Sequence, residues 1–228
     1  MTDERVGSRA LVAATAAYAI AGTGAFVALG TLPAASETGS QVVAWFREHR
    51  DAVRWGVWWF TVSAPPFATM VALLRRVLPA PHRDVFLIGA IAYLACIAVA
   101  TWTWAGLALH ADQLDPATAR AITDVVVFMG PVLTGSTTTM MAPVTLLAFG
   151  HERRIPRWLG ALGAVAFVEQ AIETITIFGS TGFTQPGGAM NMQLGGGLTL
   201  AWIVALGFWG GLRGRTAGSE GRGVRELE

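Results

Sequence analysis

Glu169 and Glu173 are the residues of this sequence best placed to do chemistry. They stand one helical turn apart inside the apolar run 158–178, so they share a face of any helix that run forms. At about 100° per residue, Leu162, Ala166, Glu169, Glu173, Thr176 and Ser180 fall in one narrow stripe, polar toward its carboxyl end. No other Asp, Glu, Arg, Lys or His lies in a comparable apolar run. Two carboxylates this close in an apolar medium cannot both carry charge cheaply. The pair suits a proton carrier, a cation-ligand pair, or a general acid beside a carboxylate. The structural alternative is a neutral pair hydrogen-bonding neighbouring helices. Glu169, near the middle of the run, is expected to face the molecular interior and hold a proton. Glu173, nearer the end, is expected to ionise more easily.

Other polar residues are candidates through their placement. The run 125–149 carries Asp124, Pro131, Thr134, Thr138, Met141 and Thr145 along one side. Threonines on apolar helices usually bond back to their own backbone or pack against small residues; lining a polar pathway is the alternative. Asp124, just before that run, would sit well at a positive helix end. With Glu173, the three residues Arg54, His110 and Asp124 could rim one cavity. The candidate set is therefore Glu169, Glu173, Asp124, Thr134, Thr138, Thr176, His110 and Arg54. Pro65-Pro66 must kink or break its helix, either to line a cavity or for packing. The single cysteine, Cys96, supports neither an internal disulfide nor a cysteine zinc site, and reads as a small buried hydrophobe. No metal set emerges, no motif of hydrolase or nucleotide chemistry occurs, and no cofactor is implied. Gly195-Gly196-Gly197 has no phosphate-binding context and reads as close helix packing.

The elements that hold these residues follow from composition. The 228 residues are 53% hydrophobic and only 14% charged, where a soluble domain carries about 25% charged residues. A formal net charge of +1 offers no basic field for nucleic acid. A membrane span needs about 20 apolar residues, and six runs qualify, at about 10–32, 55–74, 85–109, 125–149, 158–178 and 192–212. Their apolar residues surround each helix instead of forming one stripe, so lipid is the simpler solvent. The expected fold is all-α: a polytopic transmembrane bundle over residues 1–212, with a disordered tail at 213–228 rich in Gly, Arg and Glu. The bilayer, here the cell membrane, is its one certain partner. The first run exceeds the roughly 7–15 residues of a signal-peptide core, so it is expected to be retained as a span.

Arginine placement orients the bundle. Every basic residue of the chain is Arg. Twelve lie on the side of the amino terminus: Arg5, Arg9, Arg75, Arg76, Arg83, Arg153, Arg154, Arg157, Arg213, Arg215, Arg222 and Arg225. Four lie opposite, at Arg47, Arg50, Arg54 and Arg120. Both termini are therefore expected in the cytoplasm. Between the first two spans, 40–54 places Val42, Trp45, Phe46 and Val53 at helical spacing against Arg47, Glu48, Arg50 and Asp51. That pattern predicts an amphipathic helix along the outer interface. Residues 111–120 read as a short acidic turn, and the uncharged 179–191 as a loop or a re-entrant cap. Trp55, Trp58, Trp59, Trp102 and Trp104 mark outer span ends, and Trp158 and Trp209 inner ones.

A long fourth helix, a short basic turn and then Ile155-Pro-Arg-Trp-Leu159 opening the fifth resembles a bacterial family of small integral membrane proteins of about six helices and unknown function. The resemblance covers roughly residues 10–180 and implies no catalytic residue. The leading functional expectation is a polar cavity at Glu169 and Glu173 that binds or moves a small solute or proton. The rivals are a membrane-embedded enzyme acting on a lipid or isoprenoid, and a non-catalytic sensor or partner subunit whose polar stripes are packing seams.

Overall fold

The computed structural model describes residues 2–151 and 154–223, with the side chains of 7–151 and 154–213. Seven α-helices follow one another: α1 (Thr2–Leu29), α2 (Gly39–Glu48), α3 (Arg50–Leu74), α4 (His82–Leu109), α5 (Pro116–Phe149), α6 (Arg157–Glu173) and α7 (Gly196–Gly223). All but α2 belong to the six helical segments long and apolar enough to cross a membrane. Of the expected tail, α7 continues to Gly223, and residues 224–228 lie outside the described residues.

The six long helices form a ring in chain order. Each packs on the next, and α7 closes the ring against α1. The Ser8 hydroxyl donates to the Gly211 carbonyl, so the start of α1 and the end of α7 lie side by side at one end of the bundle. Outward faces are apolar: Ile20, Ile88, Val132 and Val165 are exposed, and Val27 is 78% exposed. In water that surface would be a large unburied patch, whereas acyl chains cover it.

Lipid supplies little hydrophobic drive between helices, so close contact at small residues must hold the ring. At the α4–α5 crossing, a Cβ on Gly89 would stand 2.6 Å from the Met140 backbone nitrogen and 2.9 Å from the Ser136 carbonyl oxygen. Backbone cannot swing aside, so Gly89→Ala should separate the helices and cost about 2 kcal/mol or more. Gly106→Ala on the same helix meets open space, and should be neutral or gain up to about 1 kcal/mol from helix propensity. Denaturant unfolding of the two variants checks the contrast; equal stabilities would remove the packing account.

Two packed regions fill the ring. At the end bearing the termini, Leu11, Phe67, Met70, Phe86, Met140, Trp202 and Leu206 form a dense core. At the other end α2 builds a second, with Val42, Phe46, Val53, Trp104, Leu107 and Val126. The 40–54 segment is indeed helical and far too short to span, but it differs from expectation in two ways. It breaks at His49, which leaves Arg50–Arg54 as the first turn of α3. Its apolar side is also buried on the bundle and not in the interface: Val42 and Phe46 have no exposed surface. Thr38 caps α2 reciprocally with Gln41.

Polar groups tie this end together. Arg47 donates to the carbonyls of Ala111 and Asp112, each at 3.1 Å, and Arg50 pairs with the Asp112 carboxylate. The Arg50 guanidinium holds the Asp112 carboxyl below the usual carboxylate range. Asp115, and not Asp124, caps the fourth span, because the helix starts at Pro116, where a fixed φ suits the first turn. Asp124 lies over two turns inside and pairs with Arg120, which also reaches the carbonyls of Ala34 at 3.0 Å and Glu37 at 3.2 Å. The 34 residues of α5 measure about 51 Å at 1.5 Å per residue. Its first turns therefore stand clear of a hydrocarbon core about 30 Å thick.

Candidate functional site

Between the two cores lies a cavity of about 100 Å³ to which all six spans contribute. The lining differs by helix. Phe26 of α1, Phe60 of α3, and Tyr93, Cys96, Ile97 and Trp104 of α4 are apolar or aromatic, with the Tyr93 hydroxyl their one oxygen. Val126 and Thr137 of α5, Gln170 and Glu173 of α6, and Asn191 and Gly195 just before α7 bring the amide and carboxyl groups.

Local backbone geometry makes the polar wall. After Glu173 the α-helix tightens into a 3-10 turn, Thr174–Phe178, so the fifth span is not α-helical to its end. The sixth opens on a π-helix, Met190–Gly195, whose wide turn is typical of functional positions in helices. Asn191 and Gly195, one wide turn apart, both meet Glu173. A Cβ on Gly195 would stand only 2.0 Å from Glu173 Oε2, so glycine leaves the space the carboxylate occupies. The 179–189 loop folds back so that Gly187, at φ +69°, also lines the cavity.

A continuous hydrogen-bond network runs through this wall. The Gln170 amide nitrogen donates to Glu169 Oε2 at 2.9 Å and to Glu173 Oε2 at 2.6 Å, bridging the two carboxyl groups. The Thr137 hydroxyl donates to the Gln170 carbonyl oxygen. Asn191 Nδ2 donates to Glu173 Oε1 and, at 3.2 Å, to Thr176 Oγ1. Asn191 Oδ1 accepts the Gly187 backbone N–H at 2.9 Å. A backbone N–H can only donate, so this contact fixes the orientation of the Asn191 amide. Both Glu173 oxygens accept amide N–H groups. Glu169 Oε1 is buried with no partner.

The sequence candidates fall into distinct places. Glu173 lines the cavity and is 3% exposed, against 9% for Glu169. Glu169 is buried one turn below and flanks an apolar crevice with Val165, Val168 and Ile172. Thr176 is fully buried and belongs to the network. Thr134 and Thr138 bond back to the carbonyls of Pro131 and Thr134, at 2.6 and 2.7 Å, and are not among the cavity-lining residues. Arg54 is exposed and pairs with Asp51, and His110 is the exposed C-cap of α4. Arg54, His110 and Asp124 are not among the cavity-lining residues. Pro65 and Pro66 lie within a continuous α3, also away from the cavity. Trp104, expected in the interfacial belt, is buried in the apolar wall, whereas Trp55, Trp58, Trp102 and Trp158 are exposed as a belt requires.

Sequence reasoning missed Gln170, Asn191, Thr137 and the aromatic wall. Gln170 had a usable signal, since it is an uncharged hydrogen-bonding residue beside Glu169 on a span. Among the described residues no group of three or more His, Cys, Asp or Glu could hold a metal ion. Among the described residues no Arg, Lys or His lines the cavity. Comparison of the chain with protein-family models, with curated proteins and with solved structures finds no match.

Proposed function

We propose that this chain is a multi-pass protein of the cell membrane that binds a small solute in an outward-facing cavity, with Glu173 as the recognising group. The arginine imbalance supports the orientation, with both termini cytoplasmic. One observation carries the reading: a buried carboxylate, held by two amide side chains, lines a cavity whose other residues are largely apolar or aromatic. A few fixed polar groups in an apolar concavity is the general form of a small-molecule site. Packed cores stand on both sides of the cavity, so the arrangement favours a binding site over an open pore.

Cys96 is the only thiol in the chain and lines this cavity, so it is a built-in reporter. In liposomes holding the full chain, a small neutral thiol reagent, methyl methanethiosulfonate, is expected to modify Cys96 in the folded protein. A bulky maleimide of dye size should not. Failure of the small reagent on folded protein, with full reaction after denaturation, would overturn the accessible-cavity reading.

A further inference from the structure

Resting on that reading, we propose that the solute is a small organic cation, an ammonium held between the Glu173 carboxylate and an aromatic wall of Phe26, Phe60 and Trp104. The wall is continuous: ring centroids of Phe26 and Phe60 are 6.5 Å apart, and those of Phe60 and Trp104 are 6.4 Å apart. All three line the cavity together with Glu173. Aromatic faces attract cations most strongly where water is excluded, and rings around an alkylammonium are a recurrent use of that attraction.

Other ligand classes fit the wall less well. An inorganic cation needs several converging oxygens, about six to eight for calcium. Here the Gln170 oxygen is taken by Thr137, and the Asn191 oxygen is turned away to the Gly187 N–H. The amides thus offer nitrogen, not oxygen, toward the carboxylates. An anion would meet Glu173 with no Arg, Lys or His among the cavity residues to offset the repulsion. A neutral solute would leave the carboxylate facing apolar contents with no counter-charge. An ammonium supplies that charge and presents apolar carbon to the rings. Size follows from volume. A cavity of about 150 Å³ admits benzene, so one of about 100 Å³ sets the ligand at about five non-hydrogen atoms.

The test uses the full chain in liposomes and reads the rate of Cys96 modification by methyl methanethiosulfonate in the presence of tert-butylammonium, tetramethylammonium or tert-butanol. The three probes are close in size and differ in charge. Both ammonium probes are expected to slow modification, and tert-butanol to need roughly tenfold or more higher concentration for the same protection. Glu173→Gln should raise the ammonium concentration required by about tenfold or more, and unprotected Cys96 should still react. If tert-butanol protects as well as the ammonium probes, or if no probe protects a reactive Cys96, the cation assignment falls and the cavity reading stands. If the thiol is inert in the folded protein, the cavity reading falls, and this proposal with it.

Discussion

Gly195→Ala is expected to disrupt the Glu173 network while leaving the six-helix ring assembled. The added Cβ would stand 2.0 Å from Glu173 Oε2 and 2.7 Å from the Gln170 amide nitrogen. Neither atom is free to yield. Oε2 accepts from Gln170, and Oε1 is held by Asn191, whose orientation is set by a backbone N–H. Relief therefore requires either a shift of the π-helix against α6 or loss of hydrogen bonds. Overpacking of this kind costs about 1–3 kcal/mol, and each buried donor left unmade about 1–3 more. Two residues on, Gly197→Ala meets open space and should be neutral or stabilising by up to about 1 kcal/mol. Denaturant unfolding measures the difference, and Cys96 modification should slow in Gly195→Ala as the displaced carboxylate moves into the cavity. Equal stability of the two alanine variants would show that the close approach at Gly195 is not required.

The second large effect concerns Glu173 itself. Glu173→Leu removes the acceptor of one N–H of Gln170 and of one N–H of Asn191, both buried residues. At about 1–3 kcal/mol for each unpaired donor, the variant should lose roughly 2–6 kcal/mol. Glu173→Gln keeps one acceptor oxygen but turns an NH₂ toward a donor. Asn191 cannot flip to accommodate it, so the loss should be intermediate, about 1–2 kcal/mol. Glu169→Gln should cost least, because Glu169 accepts only one N–H and has an unpartnered oxygen. The order Glu173→Leu, then Glu173→Gln, then Glu169→Gln is the expected result of unfolding the three variants in one detergent. Glu173→Leu as stable as the parent chain would refute the network as a structural element.

Amino-acid order by itself determined the solvent and the class of fold. Six apolar runs of about 20 residues or more, free of charge apart from Glu169 and Glu173, admit no packing except helices in lipid, because only an intrahelical ladder satisfies the backbone there. It also determined that a carboxylate pair inside such a run must be buried in protein, and Glu169 and Glu173 are both buried. Span boundaries were less legible. Arg120 and Asp124 look like loop residues by charge, yet they pair across one helical turn inside an α5 that outreaches the hydrocarbon core.

Only the tertiary structure decided which carboxylate faces the cavity and what stands opposite it. Glu169 and Glu173 share a stripe, so periodicity cannot rank them; the departure from α-geometry after Glu173 and the π-turn at Met190–Gly195 do so. Asn191 carries no charge and lies one residue before the run expected as the sixth span, so nothing local marked it. Phe26, Phe60, Cys96 and Trp104 come from three different helices and look like any other apolar residues of a span. A cavity is space left between helices, a property of how six helices close into a ring, and no single helix carries a record of it.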